Sequence, residues 1–223
     1  DVFHNRLTSR HQPGPWLYNQ DNELIEWGIN DDRRTLSYND NGSVTLVESS
    51  DPNVLTRLYN YDAEGRMKSM REGASTTTEF SYNFMGQRIS RRDSVGTTWF
   101  LYSQEGLIGE YDEQGNPIRL YGWLPGHKWA TDPVWQKDAG GFHFVHSDLE
   151  SFAVLMTAAT TGEKTWEARY TNFGDASAVG SWTSDVRFRF AGQWIDGHII
   201  QNGHREYDPE TGRYLSQDPL GDR

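Results

Sequence analysis

The sequence predicts an all-β protein built as a run of β-hairpins, and three observations lead to this prediction. A short pattern recurs, in which an aromatic residue is followed by Asp or Asn and, four positions after the aromatic, by glycine. The tyrosines of the pattern are spaced at close to twenty residues, as from Tyr18 to Tyr38 and from Tyr82 to Tyr102. A fixed period of this length indicates one supersecondary unit stacked many times. The segments between the turns alternate aromatic or branched residues with polar ones, which is typical of strands.

Each copy of the pattern has the chemistry of a bulged hairpin turn. Asp or Asn at the first turn position accepts a hydrogen bond from the turn's own backbone, and glycine three residues later supplies the left-handed conformation. Nothing catalytic is needed to explain the pattern. The full copies are Tyr38-Asn39 with Gly42, Tyr61-Asp62 with Gly65, Tyr82-Asn83 with Gly86, and Tyr111-Asp112 with Gly115; Tyr102 with Gly106 and Tyr170 with Gly174 keep the spacing alone.

Strands are predicted on both sides of these turns. The segment from Thr78 to Tyr82 enters one turn, and the segment from Arg88 to Arg91 leaves it. Since a single hairpin is at best marginally stable, successive hairpins are expected to join into one long sheet. The 9 Trp, 11 Tyr and 10 Phe residues would supply most of the packing on one face. The best candidate for a helix is short, over residues 148–158.

Composition limits the classes of partner. The net charge is −11, with 32 acidic against 21 basic residues, which argues against nucleic acid or an anionic membrane as the main partner. No apolar run approaches the length of a membrane-spanning helix. Cysteine is absent, so disulfides and thiolate metal sites are excluded. We expect no cofactor and no metal. The chain lacks a starting Met, and its first residues resemble a repeat entered one residue late, so we expect a fragment of a longer protein.

The last forty residues resemble the C-terminal associated core of the Rhs (YD-repeat) family. Three segments carry the resemblance: Phe188 to Trp194 (FRFAGQW), Arg205 to Ser216 (REYDPETGRYLS), and Gln217 to Gly221 (QDPLG). That family includes polymorphic bacterial toxins, the C component of insecticidal Tc toxin complexes, and the teneurins. On this basis we predict a YD-repeat hairpin array over residues 1–125 and a core with its Asp-Pro-x-Gly element over residues 126–223.

The resemblance implies both a fold and a function. In the family, a long β-sheet spirals into a hollow shell around a toxic C-terminal domain, and the core curls inward as a plug. The implied partners are the upstream shell, the C-terminal toxin domain and a component of a secretion system, and the implied location is outside the cell or at its surface, in competition between bacteria. Autoproteolysis just after the Asp-Pro-x-Gly element would release the toxin domain. The corresponding bond here is Asp222–Arg223.

The sequence departs from the family pattern in three places. Asp222 stands where family members usually carry an apolar residue. The stretch from His143 to Asp148 resembles the family's His-x-Asp-His-Leu-Gly segment, but its end is replaced by Leu149-Glu150-Ser151. The chain is shorter than usual between Trp194 and Arg205, which puts strand pairing there in question. A core that has diverged and lost cleavage is therefore one open alternative.

Asp208 and Asp218 are the candidate catalytic residues for self-cleavage. Two carboxylates held close cannot both ionise easily, so one can act as acid while the other activates water. Arg205 would orient one carboxylate or polarise the scissile carbonyl. The competing interpretation is that both Asp residues, each preceding proline, simply open turns. Asp196 is a weaker third acid, for which we favour a structural role.

We interpret the histidines and tryptophans first as structural residues. His143 and His146 are three residues apart, which on a strand places them on opposite faces and disfavours shared metal binding. The tryptophans occupy strand-like positions where packing is the default, although they could stack on sugars. A glycan- or protein-binding β-repeat module without catalysis therefore remains the alternative function.

Overall fold

The computed structural model is all-β and confirms the predicted fold class. It describes residues 5–8, 14–75, 77–180, 182, 184–189 and 193–218. A single three-residue 3-10 helix, Asn30–Asp32, is the helical part of these described residues. The strands are β1 (Leu17–Tyr18), β2 (Leu24–Trp27), β3 (Arg34–Tyr38), β4 (Val44–Ser49), β5 (Arg57–Tyr61), β6 (Met67–Glu72), β7 (Thr78–Tyr82), β8 (Arg88–Arg92), β9 (Thr97–Tyr102), β10 (Leu107–Tyr111), β11 (Pro117–Trp123), β12 (Pro133–Asp138), β13 (Gly141–Ser147), β14 (Ala153–Ala158), β15 (Lys164–Tyr170), β16 (Ala176–Ala178), β17 (Gln193–Asp196), β18 (Ile199–Asn202), β19 (Arg205–Asp208) and β20 (Arg213–Tyr214).

Strand order follows chain order throughout. Strands β1 to β16 form one 16-stranded sheet in which each strand pairs with its neighbours in sequence, and the pairs resolved in register are antiparallel. Strands β17 to β20 form a second, four-stranded sheet in the same manner. The chain is therefore a succession of hairpins joined by short turns, as the repeat period predicts.

The repeat turns have the predicted geometry. In the turn that opens at Asp62, the carboxylate oxygen Oδ1 accepts the backbone N–H groups of Glu64 (3.0 Å) and Arg66 (2.9 Å). Gly65 donates to the carbonyl of Asp62 (3.1 Å) and has a φ of +77°, in the region that favours glycine. The strand register shifts between Asn60 and Tyr61, so the repeat tyrosine lies at a β-bulge.

The hydroxyl of the repeat tyrosine makes a contact that the sequence did not reveal. At four of the repeat tyrosines, the hydroxyl at the end of one strand donates to the carbonyl of the first residue of the preceding strand, which ties the two strands together. Tyr102, for example, donates to Arg88 at 2.8 Å. The same bond joins Tyr38 to Leu24, Tyr61 to Val44, and Tyr170 to Ala153.

The chain divides into two compact units. The first unit contains the residues up to Glu79 and those from Tyr214 onward, and the second unit is Phe80–Arg213. A core of the first unit forms around Trp16, Leu24 and Trp27. The larger core of the second unit contains Phe100, Leu107, Tyr121, Trp123, Val145, Ala153, Met156, Trp166, Ala168, Val186, Phe188 and Trp194. The division predicted between residues 125 and 126 concerns homology to the family core and stays a prediction.

The helix predicted over residues 148–158 is wrong. Oδ1 of Asp148 accepts the N–H groups of Glu150 and Phe152, and Ser151 takes the left-handed conformation with φ +64°. This is the repeat turn with serine in place of glycine. Strand β14 follows and pairs on both sides, with β13 and β15, so sheet pairing prevailed over the helical spacing of the apolar residues. Within the described part of the chain, no helix is long and apolar enough to cross a membrane.

The tyrosine hydroxyls give a first testable prediction. Replacing Tyr102 with Phe removes the donor to the buried Arg88 residue and should lower the free energy of unfolding by about 1–2 kcal/mol. Tyr111→Phe is the matched control, since its hydroxyl makes no hydrogen bond within the described residues, and should change stability by less than about 0.5 kcal/mol. Urea unfolding of both variants measures the difference, and equal effects would contradict the proposed tie.

The contribution of the Tyr102 hydroxyl to stability should also depend on pH. Burial raises the pKa of Tyr102 to about 12 from the ordinary value of 10.0. Because the folded pKa is the higher one, the hydroxyl's contribution to stability is complete below pH 10 and is lost as the pH rises toward 12. The wild-type protein should therefore lose more stability over this window than Tyr102→Phe does.

Candidate functional site

The strands that carry the predicted catalytic region form a regular antiparallel sheet. Register runs without a break from β17 to β19, with Trp194 opposite Gln201 and Gln201 opposite Glu206. Gly197 and Gly203 stand at the two tight turns, with φ of +63° and +61°. Strand pairing therefore survives the shortening between Trp194 and Arg205 that the sequence comparison with the family pattern put in question.

Asp208 ends β19 and opens the next turn. Its side chain is buried, Oδ1 accepts the N–H of Glu210 (2.9 Å), and Oδ2 accepts the hydroxyl of Thr211 (2.8 Å). Gly212, with φ +70°, donates to the backbone carbonyl of Asp208 (2.8 Å). Asp208 therefore opens a turn, as expected from the interpretation that Asp-Pro pairs simply begin turns. Two donors hold its carboxylate in one orientation.

The other predicted site residues lie in different surroundings. Arg205 is half-buried and three residues before Asp208 on β19, so the alternation of the strand places it on the opposite face. Asp218 is exposed and belongs to the first unit, whereas Arg205 and Asp208 belong to the second. Asp222 and Arg223, the predicted cleavage position, lie outside the described residues.

A cluster of buried charges that was not predicted includes Glu206, two residues before Asp208 on β19. The Arg88 side chain is completely buried, and its two terminal nitrogens contact Asp196 Oδ2 and Glu206 Oε1, each at 3.1 Å. Arg91 contributes a second contact to Asp196, at 2.9 Å. The hydroxyl of Tyr82 lies 3.5 Å from Glu206 Oε1. Asp196, expected to be structural, is therefore one member of an ion-pair cluster between β8, β17 and β19.

The electrostatics of this cluster follow from its burial. Burial raises the pKa of Glu206, and the charge and hydrogen bond of Arg88 only partly oppose that effect. For Arg88, burial lowers the pKa, but the negative potential of Tyr82, Asp196 and Glu206 outweighs it and the net shift is upward. The guanidinium also lies over the ring of Phe80, 3.8 Å from the centroid, which adds a cation–π contact. Arg88 is therefore a permanent cation that the surrounding groups stabilise.

An aromatic cavity of about 260 Å³ lies between the turn after β7, the turn after β18 and the core of the second unit. Trp129 is 41% exposed and stacks on Tyr102 with ring centroids 6.2 Å apart. Three glutamines, Gln87, Gln193 and Gln201, provide amide groups, and the described lining includes no acidic, lysine or arginine side chain. The aromatic lining residues are Phe100, Tyr102, Trp123, Trp129, Phe188 and Trp194.

The two histidines of β13 lie on opposite faces, as predicted. His143 is buried, within hydrogen-bond distance of Asp138 (3.2 Å) and of Thr165 (2.9 Å), whereas His146 is exposed and contacts Thr157 (2.9 Å). Among the residues that the structure describes, no group of three His, Cys, Asp or Glu side chains could hold a metal ion.

Arg88 and Glu206 are the residues that sequence reasoning missed. A signal for Arg88 exists in the repeats themselves, because six residues after the repeat tyrosine the earlier hairpins carry Leu24, Val44 and Met67, all buried. The same count from Tyr82 reaches an arginine. A charge at a core position of an aligned repeat predicts a buried acidic partner elsewhere in the chain.

Comparisons with known proteins show which proteins this chain resembles. No family model matches the chain. It is similar to double-stranded DNA deaminase toxin A of Burkholderia cenocepacia (strain H111), with 27% identity over 203 residues that cover 74% of this chain and 14% of the toxin. It is also similar to putative uncharacterized protein YibJ of Escherichia coli (strain K12), with 33% identity over 93 residues, 40% of this chain and 39% of that protein. The chain thus spans only a part of each relative.

Solved structures share the fold over nearly the whole chain. The Tc holotoxin pore of Photorhabdus luminescens matches with a TM-score of 0.51 and 14% identity, over 94% of this chain and 14% of that one. The crystal structure of TcdB2-TccC3-TEV matches with the same TM-score and identity, over 93% of this chain and 14% of that one. The chain therefore has a fold found in Tc toxin structures.

Proposed function

We propose that this chain is a structural module of an Rhs-type toxin, in which its hairpin sheet forms part of a shell around a C-terminal toxin domain. The observation that carries the proposal is the 16-stranded hairpin sheet, whose fold matches a Tc toxin structure over 94% of the chain. The similarity to a Burkholderia toxin over 74% of the chain supports a toxin-related role.

The proposed partners follow from this role. The sheet would associate with the upstream part of the shell, enclose the toxin domain that follows the core, and be exported with it by a secretion system, to the cell surface or beyond. The proposed division is a repeat array over residues 1–125 and a core over residues 126–223. A chain of this length would supply only a part of such an enclosure.

The core is proposed to cleave the chain near Asp222–Arg223 and so release the toxin domain. One carboxylate of Asp208 and Asp218 would take a proton from water as the water attacks the carbonyl carbon, and the other would protonate the leaving nitrogen as the C–N bond breaks. Arg205 would polarise the scissile carbonyl. Its place on the opposite face of β19 makes direct pairing with Asp208 the less favoured of its two roles.

Intact mass of the chain joined to its native continuation tests this proposal. The wild-type protein should yield a product cut near Asp222, whereas Asp208→Asn and Asp218→Asn should stay whole because an amide side chain acts neither as a general base nor as a general acid near neutral pH. Asparagine can keep the contact of Asp208 Oδ1 with the N–H of Glu210, since Asn39 and Asn83 each accept the N–H of the residue two positions later.

Asp112→Asn is the matched control. Like Asp208, Asp112 opens a turn by accepting the backbone N–H of the residue two positions later, Gln114, and it has no proposed part in cleavage, so this variant should cleave normally. A folded wild-type protein that stays whole, or an Asp208→Asn variant that still cleaves, would contradict the proposed self-cleavage and favour the interpretation of a diverged core.

A second candidate function is binding of an uncharged glycan at the aromatic cavity. The observation in its favour is the partly exposed Trp129 ring beside the three glutamine amides, a combination that offers a stacking surface and hydrogen bonds without charge. Trp129→Ala should abolish a glycan-array signal, whereas Trp99→Ala, which is 47% exposed and away from the cavity, should retain it. Equal loss in both variants, or no signal with the wild-type protein, would exclude this site.

A further inference from the structure

Arg88 occupies a repeat position that other hairpins fill with an apolar side chain. Leu24, Val44 and Met67 stand six residues after their repeat tyrosines and are at most 2% exposed. Arg88 stands six residues after Tyr82 and is 0% exposed. Since an apolar residue is enough to pack this position in the neighbouring repeats, the guanidinium requires a different explanation from packing.

The charge of Arg88 is matched by acids from the second sheet. Its terminal nitrogens reach Asp196 on β17 and Glu206 on β19, residues 108 and 118 positions later in the chain. A guanidinium holds its donors in a rigid planar fork, so the two contacts fix the carboxylates relative to each other and to β8. A buried ion pair is weak evidence for stability, but it can specify one arrangement among several.

Glu206 connects this contact to Asp208. The burial pattern of β19 alternates, with Glu206 and Asp208 buried and Arg205 and Tyr207 half-buried, so the two acids share one face. A shift of β19 by one residue along β18 would turn both acids to the other face. The contact between Arg88 and Glu206 therefore fixes the register that sets the position of Asp208.

Asp196 and Glu206 are not suited to act on a peptide bond themselves. Their side chains are each 2% exposed, and each is paired with Arg88. Both carboxylates are already engaged by the Arg88 guanidinium, which leaves neither to take a proton from an attacking water. The cluster therefore acts through its geometry.

We propose that Arg88 is a positioning residue for Asp208, so that self-cleavage requires the hairpin of β7 and β8 to be folded against β17–β19. This inference rests on the proposed self-cleavage function. If this is correct, the chain is cut only after a repeat hairpin more than a hundred residues upstream has folded. A core that has not yet packed against this hairpin would leave the chain intact.

The test compares Arg88→Lys and Arg88→Met with Arg119→Lys and Arg119→Met in the full chain with its native continuation. Arg119 is the matched control because it pairs with the buried Glu110 at 3.3 Å in the same unit, within the 16-stranded sheet. Three quantities are measured: the rate of cleavage by intact mass, amide hydrogen exchange of peptides covering residues 199–208, and the urea midpoint. Rates are measured where the unfolding curves show every variant folded, so that lost stability alone does not change them.

Lysine keeps the positive charge of Arg88 but lacks the planar guanidinium group that contacts both carboxylates. We expect Arg88→Lys to recover much of the urea midpoint lost in Arg88→Met and yet to cleave slower than wild type by about tenfold or more, because a misplaced reacting group is costly. Exchange over residues 205–208 should be faster than in the wild type. Both Arg119 variants should cleave at the wild-type rate with unchanged exchange in this region.

Two results would overturn the inference. One is an Arg88→Lys protein with wild-type cleavage and unchanged exchange in β19, and the other is an equal loss of cleavage in the Arg119 variants. A wild-type protein that does not cleave would defeat the proposed function separately. In that case the exchange data still decide the inference about position: faster exchange in β19 of Arg88→Lys upholds it, and unchanged exchange rejects it.

Discussion

A buried guanidinium needs carboxylate partners, and within the second unit this requirement joins β8 of the long sheet to β17 and β19 of the short one. Arg88 on β8 meets Asp196 and Glu206, which lie on β17 and β19. The cost of leaving any of these charges unpaired is large, because the site is nearly dry. The two sheets are therefore coupled through a contact whose partners are distant in sequence, and the turn that holds Asp208 follows directly from the coupled strand.

The turns of the hairpin sheet depend on a local unit that recurs along the chain. Asp or Asn fixes the turn, glycine supplies the left-handed residue, and the tyrosine hydroxyl ties the strand to the previous one, as at Asp62, Gly65 and Tyr61. Because the same unit recurs and each strand pairs with its neighbours in sequence, the sheet extends by repetition. The second sheet is different, since its strands are short and its buried acids need Arg88, which only the repeat sheet provides.

The sequence was sufficient to predict the repeated hairpin turn, but it was insufficient to predict contacts between residues far apart in the chain. The turns and the all-β class follow from spacing and turn chemistry, and the opposite faces of His143 and His146 follow from strand alternation. The helix expected over residues 148–158 failed because Ser151 adopts the left-handed conformation without glycine, so the turn lacked its usual marker. Glu206 was missed because its partner, Arg88, lies 118 residues away and no local pattern links them. The roles of Asp208, Asp218 and Arg205 in cleavage stay predictions.

The central claim is that Arg88 and Glu206 are energetically coupled, and a double-mutant cycle measures that coupling directly. Urea unfolding of the wild type, Arg88→Met, Glu206→Gln and the double variant gives an interaction free energy that cancels the separate effects of each change. The structure predicts a favourable coupling of about 2 kcal/mol or more, since each single change removes one charge of the buried Arg88–Glu206 pair and leaves the other less well compensated. Additive effects, with a coupling within about 0.5 kcal/mol of zero, would contradict the account.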